Sequence, residues 1–223
     1  GIEKVYNLED FHNTDIKKAL FTIQTYYSII IKLLVQNLFD SLQNPSGKIT
    51  YVNDYSDLTS LFHGNKSGFN SKVNNFFEIH FFEWFTLTED IDVNYINDIV
   101  CELDKFETTA SIIKPEIVQD VLKKTYESIT PKELRHLMGE YYTINWLADF
   151  TIDHSGLELG KHTSALDPTC GSGTFLMHLI NKYIEKFSDK MSYDELVKNI
   201  VDNYVGFDIN PIAVIQAKGN YIL

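Results

Sequence analysis

A chain of 223 residues with 44% hydrophobic and 22% charged side chains can bury an ordinary core, which excludes a disordered tail and fits one or two compact units. Its net charge of −12 argues against a strong nucleic-acid grip of its own, because phosphate contacts need Lys and Arg and leave a basic footprint. The longest apolar stretch, Tyr26 to Leu34, is interrupted by Ser28 and Lys32 and is far short of the roughly 20 residues of a membrane span, so no membrane segment is expected.

The start, Gly1-Ile2-Glu3-Lys4, has neither a Met nor a basic-then-apolar leader and reads as the trimmed start of a cytoplasmic protein. From Thr14 to about Leu42, the apolar residues Ile16, Leu20, Ile23, Tyr27, Ile30, Leu34 and Leu38 recur at spacings of three and four. That period predicts one long amphipathic helix, capped by Asn13 or Thr14 and ended by the turn Asn44-Pro45-Ser46-Gly47. Further helices are predicted at about 53–62, 74–86, 92–110 and 115–128, separated by polar stretches such as His63-Gly64-Asn65-Lys66-Ser67-Gly68. Residues 1–130 therefore read as an α-helical N-terminal domain without repeats or low-complexity segments.

After Thr130-Pro131 the pattern changes. A short helix near 131–138 leads into Gly139-Glu140-Tyr141-Tyr142-Thr143 and a helix over about 145–154. Ser164 to Asp167 is a strand, Thr174 to Phe187 a helix, Asp194 to Val201 another, Tyr204 to Asp208 a second strand, and Pro211 to Tyr221 a last helix. Strand, glycine turn, helix, strand and acidic residue, in that order, open a parallel α/β sheet within residues 131–223. Two strands leave apolar faces and an edge uncovered, so the sheet is expected to be truncated and its domain to continue beyond Leu223.

Leu166-Asp167-Pro168-Thr169-Cys170-Gly171-Ser172-Gly173-Thr174-Phe175-Leu176 puts two glycines at the turn between strand and helix, where a Cβ would keep a ligand away from the backbone. A phosphate-binding P-loop would need Gly-Lys-Ser/Thr, but Gly173 is followed by Thr174 and Phe175. A dinucleotide fingerprint would want a third glycine at the position of Leu176. Cys170 lacks the neighbours of a cysteine-protease nucleophile and reads as a small buried residue. The second strand ends in Gly206-Phe207-Asp208-Ile209-Asn210-Pro211, and an acidic residue at that strand tip can accept both hydroxyl hydrogen bonds of a ribose. The structural alternative for Asp208 is a strand end or a helix cap before Pro211. The interval from Gly173 to Asp208 exceeds the roughly 20 residues of a dinucleotide fold, and the extra helix near 194–201 accounts for it. Cys101 and Cys170 stand far apart, and His136, His154 and His162 read as surface or packing residues, so neither a disulfide framework nor a metal site is expected.

Asp167 to Leu176 resembles the cofactor-loop motif of N6-adenine-specific DNA methyltransferases of restriction-modification systems, above all type I modification subunits and fused restriction-modification enzymes. Gly139 to Thr143 resembles the Gly-x-Tyr-Tyr/Phe-Thr-Pro motif that precedes it there, and Gly206 to Pro211 with Ala213 and Ala217 resembles the motif that comes after it. The likeness covers about residues 117–223, including the helix segment Asp120 to Glu127. One departure is Ile144, which stands where the family has proline. The resemblance implies a Rossmann-like fold that binds S-adenosylmethionine. In it Tyr142 and Thr143 close over the methionine end, and Asp167 faces the ammonium. Gly171, Ser172, Gly173 and Thr174 form the floor, Thr169 belongs to the same cofactor-binding set, and Asp208 holds the ribose. A carboxylate at Asp167 complements the positive cofactor, whereas a phosphate would be repelled.

The same resemblance supplies what the chain lacks. The family takes the two hydrogens of the adenine amino group and stacks the flipped base with Asn/Asp-Pro-Pro-Tyr/Phe. The prolines here are 45, 115, 131, 168 and 211, no two adjacent, so the catalytic motif and methyl transfer belong to a longer parent enzyme, with no catalytic residue expected in this chain. The implied partners are DNA, through that enzyme, and a DNA-specificity subunit or fused recognition and nuclease domains. Two alternatives stay open: a methyltransferase of protein or RNA amino groups, and a non-catalytic module that docks a specificity subunit.

Overall fold

The computed structural model describes residues 16–43, 51–64, 76–105, 115–130, 132–137 and 139–222. Among these residues the protein is mostly helical, with nine α-helices, one 3-10 helix and a parallel sheet of two short strands. It divides into two compact units, Gly1–Gly139 with Ile222–Leu223, and Glu140–Tyr221.

The first unit contains α1 (Ile16–Gln43), α2 (Tyr55–Phe62), a 3-10 helix (Phe81–Leu87), α3 (Val93–Leu103), α4 (Pro115–Ile129) and α5 (Lys132–Leu137). The expected capping residues Asn13 and Thr14 and the turn Asn44-Pro45-Ser46-Gly47 lie outside the described residues. α1 is not the one-sided amphipathic helix that its apolar spacing predicts. From Tyr27 to Leu38 every side chain is buried, including Ser28, Lys32, Gln36 and Asn37, so α1 is the central helix of its unit. By length and composition Lys18–Leu38 could also cross a membrane, but most of that stretch is buried inside the protein. Tyr27 packs its ring on Tyr126 of α4 at 4.7 Å and donates its hydroxyl to the Leu122 carbonyl at 3.2 Å.

The helix expected over 74–86 is a 3-10 helix confined to Phe81–Leu87, and residues 76–80 before it are not helical. Its three-residue repeat explains the burial: Phe82 and Phe85 go into the core while Phe81, Trp84 and Leu87 face out. The helix expected over 92–110 ends at Leu103, and positions 106–110 lie outside the described residues. Asp54 and Asp92 start α2 and α3 by accepting from the backbone N–H of Asp57 and Asn94.

The buried Ser28 and Lys32 of α1 meet polar partners rather than solvent. Lys32 forms an ion pair with Glu83 of the 3-10 helix, both side chains being almost wholly buried, and its Nζ also donates to the Glu78 carbonyl at 3.4 Å. His80 Nδ1 accepts from the Phe82 N–H at 3.3 Å. In the neutral ring the proton therefore sits on Nε2, 2.9 Å from Glu83 Oε1 and 3.2 Å from Ser28 Oγ. Removing one member of such a pair strands the other charge in a dry core. Glu83→Ala should therefore lower the unfolding free energy by about 3–5 kcal/mol, whereas Lys32→Met combined with Glu83→Leu should cost far less. Urea denaturation followed by circular dichroism distinguishes these outcomes, and a loss under about 1 kcal/mol for the single variant would mean that water reaches the pair.

The second unit contains α6 (Asn145–His154), β1 (Ala165–Asp167), α7 (Thr174–Phe187), α8 (Tyr193–Asn203), β2 (Tyr204–Gly206) and α9 (Pro211–Ile222). β1 and β2 run parallel with Ala165 opposite Tyr204, Leu166 opposite Val205 and Asp167 opposite Gly206, and α7 and α8 form the crossover between them. Both strands are shorter than expected, since Ser164, Phe207 and Asp208 lie outside them. Met177, Leu179, Ile180 and Tyr183 of α7 pack with Leu196 and Ile200 of α8 and Tyr204 of β2 into one core. That core covers a single face of the sheet. On the other face the paired Leu166 and Val205 are 60% and 40% exposed.

α6 is fastened to α7 by charge: Asp149 Oδ1 lies 2.9 Å from His178 Nδ1 and 3.5 Å from Lys182 Nζ, which is itself 2.9 Å from Asp153 Oδ1. Ile144 precedes α6 with φ −75° and ψ 145°, values that a proline would also adopt. A proline at position 144 would therefore fit this helix start without a change of backbone.

Candidate functional site

The end of β1, the turn after it and the end of β2 are held together by hydrogen bonds that outlast the strands. The Phe207 N–H donates to the Asp167 carbonyl at 2.9 Å, and the Cys170 N–H donates to the Phe207 carbonyl at 2.8 Å. Asp167 Oδ1 accepts from the Thr169 N–H at 3.1 Å, which folds the chain into the glycine turn. Gly206 lets the turn sit this close. A Cβ there would meet Leu176 Cδ1 at 2.5 Å and Cys170 Cβ at 2.9 Å, the second of which has little freedom to move.

Gly171 and Gly173 both have left-handed backbones, with φ of +53° and +85°. A Cβ on Gly171 would meet nothing within 4 Å, so the turn is open to a ligand at that point; one on Gly173 would meet Ala217 Cβ of α9 at 3.4 Å. Gly173 caps α7 without a side-chain hydrogen bond, and the first N–H groups of that helix can serve as donors to a carboxylate or hydroxyl. Ser172 is buried and its carbonyl accepts from Asn220 Nδ2 at 2.9 Å, so it meets any ligand through its backbone. Thr169 is exposed and Thr174 half-buried at the first turn of α7.

Asp208 joins the two strand ends. Its Oδ2 accepts from the Gly171 N–H at 2.8 Å and its Oδ1 from the Asn210 N–H at 2.8 Å. Each oxygen keeps one further lone pair, which is the acceptor pair that a vicinal diol requires. The helix-cap role falls to Asn210, whose Oδ1 accepts from the Ile212 N–H at 3.0 Å. Asn210 Nδ2 in turn donates to Glu140 Oε1 in the Gly139 to Thr143 segment. In the same segment the Tyr142 hydroxyl donates to Gln216 Oε1 at 3.4 Å.

Segments 140–143, 167–174 and 208–220 thus meet at the carboxyl ends of the two strands. Of the expected site residues, Asp167, Gly171, Ser172, Gly173 and Asp208 are linked directly into this cluster, with Tyr142 joined to it through Gln216. Thr143 is half-buried and makes no hydrogen bond to the glycine turn among the described residues. Glu140, Asn210, Gln216 and Asn220 are the contacts that the sequence did not assign. The nearest hint was that 216, 217 and 220 fall on one face of a predicted helix.

The electrostatics favour a cation. Burial pushes the Cys170 thiol up to about 11, and the carboxylates of Asp167 and Asp208 push it in the same direction. The thiol is therefore protonated and unreactive at neutral pH, while the same negative potential attracts a positive ligand and repels a phosphate. Among the described residues no three His, Cys, Asp or Glu side chains converge on a metal-sized point. No protein-family model matches this chain, and no curated protein is significantly similar to it.

The thiol gives a direct check on this environment. The folded state holds a proton that the unfolded chain releases, so its contribution to stability is complete below about pH 8.5 and is lost as pH rises toward about 11. In iodoacetamide labelling at pH 8, read by mass spectrometry, exposed Cys101 should be modified in the native protein and Cys170 only after denaturation. Equal labelling rates would mean that the turn is open to solvent behind Cys170.

Proposed function

We propose that this chain is the S-adenosylmethionine-binding part of a methyltransferase that modifies adenine at N6 in DNA, within a restriction-modification system. In this reading the second unit is the start of a Rossmann-like domain, and the acceptor-binding Asn/Asp-Pro-Pro-Tyr/Phe lies in a longer parent protein. One observation carries the proposal: the Asp208 carboxylate holds the Gly171 N–H at 2.8 Å and still offers two acceptor positions beside a glycine turn at the ends of adjacent parallel strands. The turn's negative potential suits a ligand with an ammonium and a sulfonium.

The chain's own residues would divide the work of binding. Asp208 accepts from the ribose hydroxyls, Asp167 faces the ammonium, and the first N–H groups of α7 meet the carboxylate. Tyr142 and Thr143 flank the methionine end. The cofactor supplies a methyl group on a positively charged sulfur, ready for transfer to an amino nitrogen. With a net charge of −12 the chain contributes little attraction for duplex DNA, so the grip on phosphates falls to other domains or to a specificity subunit.

Titration calorimetry with S-adenosylhomocysteine tests this reading. The chain should bind it, and Asp208→Asn should weaken binding by about 1.5–3 kcal/mol through loss of charged acceptors. In a labelled methyl-transfer assay the chain alone should leave adenine unmodified, since no paired prolines are present to hold the base. Absence of binding, or unchanged binding by the Asp208 variant, contradicts the assignment, as does methylation by this chain alone.

A further inference from the structure

Gln216 is a costly residue to place where it stands. It is fully buried, and among the described residues its Nε2 has no hydrogen-bond partner. A buried amide left half-satisfied is destabilising, and an aliphatic side chain of similar size would fill the space without that penalty. Its one polar side-chain contact among the described residues is the acceptance of the Tyr142 hydroxyl at 3.4 Å, long for O–H···O and able to tighten when a ligand packs against the ring.

The neighbours of Gln216 on α9 give that contact its meaning. Ala217 lies against Gly173, and Asn220, one turn further on, grips the Ser172 carbonyl. One face of α9 therefore sets the glycine turn and Tyr142 in the same frame. Asp208 is fixed independently, through Gly171 and Asn210, and so does not depend on Gln216.

We infer that Gln216 is a positioning residue that holds Tyr142 beside the glycine turn and thereby confers selectivity for ligands bearing an amino-acid end over the bare nucleoside. The inference rests on the cofactor-binding reading given above. It separates two halves of one site: Asp208 holds the ribose whichever ligand is present, while the pair of Tyr142 and Gln216 acts only on the end that carries the ammonium and carboxylate.

Calorimetric titration of the whole chain with S-adenosylhomocysteine and with 5′-methylthioadenosine, which lacks the amino-acid end, tests the inference. Gln216→Leu should weaken the first ligand about five- to tenfold and leave the second within about twofold. Tyr142→Phe, which keeps the ring and loses only the hydroxyl, should show the same split, so the test stands even if Gln216→Leu does not fold. The double variant should be no weaker than either single one, because both remove the same hydrogen bond. Equal weakening of both ligands, additive losses, or no loss for the amino-acid ligand would overturn the inference while leaving the cofactor reading intact. If the unmodified chain binds neither ligand, the cofactor reading itself fails, and this one with it.

Discussion

The hydrogen bond from the Gly171 N–H to the Asp208 carboxylate turns two distant stretches of chain into one surface. Two helices separate these residues in sequence, and the parallel pairing of β1 and β2 brings them back to within 2.8 Å. Parallel strands force this outcome. Their connection must cross over the sheet, so both carboxyl ends open on the same side, and the loop leaving one strand faces the loop leaving the other. A glycine turn after the first and an acid after the second then become one site without any further requirement. Gly206 keeps the arrangement tight, because any side chain there would push Cys170 and its turn away from β2.

The third segment is attached by a different device. Glu140 and Tyr142 reach Asn210 and Gln216, and Asn220 on the next turn of α9 holds the Ser172 carbonyl, so the chain after β2 contacts both the 140–143 segment and the glycine turn. The helical unit meets an analogous problem by another route. There the buried charges of Lys32 and Glu83 tie the central helix to a short 3-10 helix, with His80 in the tautomer that completes the cluster. In both units the polar interior marks where elements distant in sequence are held together, and such groups are stable in a core only when paired.

Much of this organisation is legible in the sequence. The long first helix, the helix that starts at Pro115, and the alternation of strand and helix after Thr130 all follow from periodicity and turn chemistry. Asp208 stands out in the sequence as an acid that follows the second strand, and what only the structure adds is that its two oxygens accept from the Gly171 and Asn210 N–H groups. The sites of failure have physical reasons. A stretch as short as the seven residues from Phe81 to Leu87, five of them aromatic or apolar, does not separate a period of three from one of 3.6, so the 3-10 helix reads as part of a longer α-helix. Lys32 and Gln36 interrupt an apolar stripe and look like a solvated face, yet α1 is buried on all sides from Tyr27 to Leu38, and only tertiary packing shows it. Gln216 and Asn220 are invisible for the same reason: within Gln216-Ala217-Lys218-Gly219-Asn220 a polar residue at the core and one at the surface are indistinguishable. Phe207 leaves the second strand early because its carbonyl goes to Cys170 of the turn, although its N–H still reaches Asp167 at the end of β1.

In the function proposed above, segments 140–143, 170–174 and 207–211 of the second unit form a single cofactor site. Hydrogen exchange with and without S-adenosylhomocysteine, read peptide by peptide, tests it most directly. The ligand should slow exchange together in segments 140–143, 170–174 and 207–211, because all three close on one molecule, and leave peptides of α1 to α4 unchanged. Protection confined to the helical unit, or to just one of the three segments, would contradict it.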